Sequence, residues 1–107
     1  FCKIIRKEIE AKFEYEDDDV IVVRDINPQA PAHLLIIPKK HIDRISSVEQ
    51  TDLDTIGKVI YQAKQIAARN GWEHYRLVFN NGEQAGQSVF HIHLHLLSGR
   101  PMRWPPG

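Results

Sequence analysis

The sequence predicts an α+β domain, with a roughly five-stranded antiparallel sheet, one long helix and one short one. Three observations carry this. One amphipathic helical period runs between residues 46 and 71, with strand-like runs on both sides of it. Val20-Ile21-Val22-Val23 is a β-branched run suited to a buried strand. Residues 91 to 97 read His-Ile-His-Leu-His-Leu-Leu, a period of two rather than of 3.6.

In chain order, Ile4, Ile5 and Ile9 fall within helical reach of one another, so residues 2 to 9 predict a short helix. Phe13 to Tyr15 reads as a short strand, followed by an acidic turn at Asp17-Asp18-Asp19 and the strand Val20 to Val23. Pro28 and Pro31 make Asp25 to Pro31 a loop. His33 to Ile37 is the next strand, closed by Pro38 and the basic turn Lys39-Lys40-His41. Ser46-Ser47-Val48-Glu49 resembles a capping box, and Leu53, Ile56, Ile60, Ala63 and Ala67 then form an apolar stripe. Asn70-Gly71 stops the helix. Gly57 inside it is either a tolerated glycine or a place where another backbone comes close. Tyr75 to Asn80 and Val89 to Leu97 read as a hairpin joined by the glycine-containing loop 81–86. The tail Arg100 to Gly107 carries three prolines and cannot be helix.

The 107 residues predict a single domain, 1–107, able to bury a core without staples. Fourteen basic residues balance fourteen acidic ones, which argues against nucleic acid as a partner. Cys2 is the only cysteine, so no internal disulfide forms, and it has no thiol partner for a zinc site. A cytoplasmic, reducing setting fits this, with the nucleus open to a eukaryotic chain. No apolar run reaches the length of a membrane span.

As a strand, residues 91–97 put His91, His93 and His95 on one face, roughly 6.5 to 7 Å apart, and Ile92, Leu94 and Leu96 on the core face. Such a row has two chemical uses. It can ligate zinc, although no carboxylate or thiolate stands at a recognisable spacing. It can also handle phosphate. Gly82 and Gly86 bracket the loop just upstream, where backbone N–H groups can approach an anion, and Ser88 adds a hydroxyl. Taken singly, His41 and His74 read as surface residues and Cys2 as structural, while His33 could serve core or site.

The run His91 to Leu97 fits the pattern His-φ-His-φ-His-φ-φ, with φ apolar, at every position. Together with Asp25 to His33, Pro38 to Ile42, Gly86 to His91 and the ending Arg103-Trp104-Pro105-Pro106-Gly107, it resembles the histidine triad nucleotide-binding proteins from end to end. The Trp-Pro-Pro-Gly ending is similar to the branch that hydrolyses purine nucleoside phosphoramidates.

The resemblance implies a two-fold homodimer and no cofactor or metal. It implies His93 as the nucleophile, His95 and His33 at the phosphate, His91 ordering the site and Ser88 near the leaving group. Asp25 would take the ribose hydroxyls, with Asn80, Gly86 and Gln87 as a polar rim. Phe1, Ile4, Ile26 and Leu35 would wall the base pocket, where Val23 replaces an aromatic found in some relatives. Residues 100–107 would cross to the partner subunit and place Trp104 on its leaving-group side. The substrate would be a purine nucleoside phosphoramidate, adenylated lysine and amines included. The rival readings are a dinucleoside polyphosphate hydrolase, a nucleotide-binding regulator with little turnover, and a zinc-binding protein.

Overall fold

Five strands form one antiparallel sheet in a computed structural model that describes residues 1–5 and 12–107. The elements are α1 (Cys2–Ile5), β1 (Phe13–Glu16), β2 (Val20–Arg24), β3 (Ala32–Pro38), α2 (Leu53–Arg69), β4 (Tyr75–Val78) and β5 (Leu94–Ser98). The spatial order is β1-β2-β3-β5-β4. The chain therefore leaves β3 through α2, lays down the edge strand β4 and returns as β5 between β3 and β4. The part of the expected first helix that reaches Ile9 lies outside the described residues.

The sheet separates core from site because strand side chains alternate. Val20, Val22, Leu34, Ile36, Leu94 and Leu96 face α2 and pack on Val59, Ala63 and Ile66. Ile21, Val23, Leu35 and Ile37 face the other way and are covered by Phe1, Ile4, Ile5 and Phe13. On β5, Leu94 and Leu96 are buried under the helix, so His95 stands on the opposite face, directly across from Leu35.

The structure moves three sequence-based expectations. The capping box belongs to Glu49 and Asp52, not Ser46 and Glu49. The Glu49 side chain takes the N–H of Asp52, and the Glu49 N–H donates to Asp52 Oδ2 at 2.9 Å. Ser46 is taken up in a 3₁₀ turn, where its N–H donates to Asn81 Oδ1 at 2.8 Å. The buried stripe of α2 is Val59, Gln62, Ala63, Ile66 and Ala67, while Leu53 and Ile60 are exposed. Leu53, Gly57, Ile60 and Tyr61 make a second, uncovered stripe one residue register away. Beyond the adjoining turns of its own helix, no atom of the described residues comes within 4 Å of a Cβ built on Gly57. Finally, β4 stops at Val78 and β5 begins only at Leu94, so His91 and His93 precede the paired strand.

Candidate active site

The site lies on the sheet face away from α2, in a cavity of about 790 Å³. His93, His95, His33, Ser88 and Gly86 line its polar end. Phe1, Ile4, Val23 and Leu35 line its apolar wall, Asp25 lines it beside His33, and the fully exposed Ile26 lies at the rim. Asn80 and Gln87 do not line it. The Asn80 amide packs against Gly86, and Gln87 is buried inside the loop. Trp104 is exposed on the tail, away from the cavity.

Hydrogen bonds fix the state of each imidazole, because a carbonyl oxygen can only accept and a backbone N–H can only donate. His93 Nδ1–H donates to the carbonyl of His91 at 2.8 Å, so its Nε2 carries a lone pair. Phe1 meets the His93 ring edge-on, with centroids 4.9 Å apart. The Gln29 N–H donates to His33 Nδ1 at 3.0 Å, so His33 carries its proton on Nε2. That Nε2–H donates to His95 Nδ1 at 2.9 Å. His95 in turn is left with Nε2–H, a donor. One nucleophilic nitrogen and one donor nitrogen thus sit on rings whose centroids are 5.0 Å apart. Asp25 Oδ1 accepts the Asn27 N–H at 2.9 Å, and Oδ2 lies 3.4 Å from His33 Nε2.

His91 leaves the row expected from the sequence. Its ring is buried, and its Nε2–H donates to the Pro38 carbonyl at 2.7 Å. Its ring does not line the cavity; its backbone carbonyl accepts from His93, and the Phe1 ring centroid is 6.0 Å from its own. Its bare Nδ1 points to His41 Nδ1 at 3.2 Å and Cys2 Sγ at 3.4 Å, and Cys2 Sγ is also 3.4 Å from His41 Nδ1. The exposed His41 therefore has a partner, and Cys2 has two, which sequence separations of 39 and 89 residues concealed. Tetrahedral zinc bound to nitrogen and sulfur places donor atoms about 3.3 to 3.6 Å apart. This trio fits that geometry, and the tautomer of His91 presents a lone pair to it. Asp25, His33 and His95 form a second group of possible ligands. It fits less well, because His33 Nε2 is committed as a donor.

Burial lowers the pKa of all three triad imidazoles. Desolvation is the largest cause for each, and His95, also facing His93 and His33, falls to about 4. The cluster is neutral at pH 7.

The HIT domain family profile matches residues 6–102. The chain belongs to the HIT domain family. A HIT family hydrolase of Legionella pneumophila is similar in structure with a TM-score of 0.97, at 51% identity over 100% of this chain and 97% of that one. A 14 kDa zinc-binding protein of Zea mays is 49% identical over 100% of this chain and 86% of its own length. Adenylylsulfatase HINT1 of Arabidopsis thaliana is 47% identical over 100% of this chain and 75% of its own length. Two histidines of the run that marked the chain as a HIT protein, His93 and His95, thus line the cavity.

The depressed imidazoles set a pH dependence of stability. In the unfolded chain these rings bind protons from about pH 6.5 downward, and in the folded chain only at lower pH. The unfolded state then binds more protons, so stability is full above about pH 6.5 and falls as pH drops towards His95's value of about 4. Below that, Asp17 and Asp52, whose pKa values are lowered mainly by hydrogen bonds, add to the loss. Melting temperature measured from pH 7.5 to 4.5 should decline steadily; a flat or rising profile would contradict burial of neutral imidazoles.

Proposed function

We propose that this HIT protein hydrolyses purine nucleoside 5′-phosphoramidates through a covalent nucleotidyl-histidine on His93. One observation carries the reading: the His93 Nε2 lone pair is held open, by the bond on Nδ1, at the junction of a donor-lined pocket and an apolar one.

In this reading the purine lies between Phe1, Ile4, Val23 and Leu35, and Asp25 accepts the ribose hydroxyls. Nε2 of His93 attacks phosphorus, the P–N bond breaks, and the amine departs with a proton from water. The positive charge on the His93 ring rests on its bond to the His91 carbonyl. His95 Nε2–H and the Ser88 hydroxyl donate to the phosphoryl oxygens and the leaving group. Water then attacks phosphorus, breaks the bond to His93 and frees the nucleoside monophosphate. The relative named an adenylylsulfatase supports an adenylyl group as the constant part of the substrate, with the leaving group as the variable part.

No step calls for a metal. A zinc-type cation on Cys2, His41 and His91 would supply structural fastening, tying α1 to the segment before β5. The zinc-binding relative supports that second role. His93→Ala should lose on the order of 10³-fold or more in turnover of an adenosine phosphoramidate while still binding AMP. Wild-type turnover should persist in chelator. A loss within about tenfold for the variant, or abolition by chelation, would remove the mechanism.

The pair of chains would form a homodimer, with residues 100–107 crossing so that Trp104 enters the partner's site. The exposed Leu53, Ile60 and Tyr61 of α2, the exposed Tyr75 and Leu77 of edge strand β4, and the exposed Trp104 support this surface. Analytical ultracentrifugation at micromolar concentration should give twice the chain mass. Deleting residues 101–107 should alter preference among leaving groups. A monomer, or unchanged preference, would dismiss the crossing.

A further inference from the structure

We propose that Gln87 is a positioning residue that fixes the loop carrying Ser88, rather than a ligand of the nucleotide; the proposal rests on phosphate binding beside His93. Gln87 is 3% exposed, and its side chain is spent inside the protein. Oε1 accepts the Gly82 N–H at 2.8 Å. Nε2 donates one hydrogen to the Asp43 carbonyl at 2.8 Å and the other to the Val89 carbonyl at 3.1 Å. The backbone N–H of Gln87 also donates to the Gly82 carbonyl, at 3.0 Å. Both amide hydrogens are used, so neither is left for a phosphate.

These bonds clamp Ser88 from both sides, since Gln87 and Val89 flank it. They also tie the loop to the segment that orders His91. Pro38 accepts from His91 Nε2, Ile42 accepts from the Ile92 N–H at 2.7 Å, and Asp43 accepts from Gln87. Residues 38–43 therefore act as a common template for the loop and for the approach to β5. Two further contacts hold the same surfaces together: Ser46 N–H on Asn81 Oδ1, and the Arg44 guanidinium 5.0 Å from the Phe90 ring centroid. The turn can close because Gly82 and Gly86 take φ of +93° and +98°. A side chain with one acceptor and two donors is required here. Methionine fills the volume without either function, and glutamate would set an anion against two carbonyls.

The test compares Gln87→Met with wild type in three readouts: kcat and KM for an adenosine phosphoramidate, the affinities for AMP and adenosine, and hydrogen exchange at the Gly82 amide. Gln87→Met should lose about tenfold or more in kcat and a similar factor in the AMP-to-adenosine affinity ratio, with adenosine affinity within about twofold. Its Gly82 amide should exchange faster. Ser88→Ala should lower turnover with Gly82 exchange unchanged. If Gln87→Met does not fold, Gln87→Asn keeps the amide with a shorter reach and should show smaller losses in the same directions. Retained kcat and affinity ratio would overturn the proposal. So would their loss with Gly82 still protected, which would put the side chain on the substrate. If the wild type hydrolyses no phosphoramidate, the reaction assigned above fails, and the affinity ratio and Gly82 exchange still decide the role of Gln87.

Discussion

Two hydrogen bonds in series hold the site in its working state. His93 Nδ1–H binds the His91 carbonyl, and His91 Nε2–H binds the Pro38 carbonyl. The first leaves Nε2 of His93 bare and aimed at the cavity. The second turns the His91 ring away from that cavity and anchors the backbone that makes the first. Without them a neutral imidazole could place its proton on either nitrogen, and in one of the two tautomers Nε2 has no lone pair to offer. A parallel series, from the Gln29 N–H through His33 to His95, leaves the opposite tautomer on His95. Neighbouring histidines of identical chemistry are thereby given different roles by backbone groups.

The sheet makes this arrangement affordable in a small domain. Its helix-facing side supplies most of the apolar burial, so the other side is free to carry polar groups. Burying several imidazoles as cations would be costly, and desolvation keeps the triad neutral instead. The cavity then offers N–H and O–H donors and one lone pair rather than a cluster of fixed positive charge. Asp25 lies beside these donors, its Oδ2 3.4 Å from His33 Nε2.

The sequence made the sheet and the histidine floor legible because both rest on alternation over a few residues. Val20 to Val23, His33 to Ile37 and Leu94 to Leu97 sit where their patterns put them. The helix was legible in type but not in its buried face. Leu53 and Ile60 fit a helical stripe as well as Val59 and Ile66 do, and only packing against β3 and β5 separates them. The trio Cys2, His41 and His91 and the clamp at Gln87 were not legible, because each joins residues far apart in sequence. His91 matched the motif yet left the row, since the ladder that would hold it starts three residues later, at Leu94.

The central claim is that His93 forms a bond to phosphorus. Rapid mixing with an adenosine phosphoramidate, an acid-free quench and peptide mass spectrometry test it most directly. The account predicts a transient adenylyl adduct on the peptide containing His93, absent from His93→Ala. Hydrolysis that proceeds with no adduct at the earliest times, or with the adduct on another residue, would contradict it.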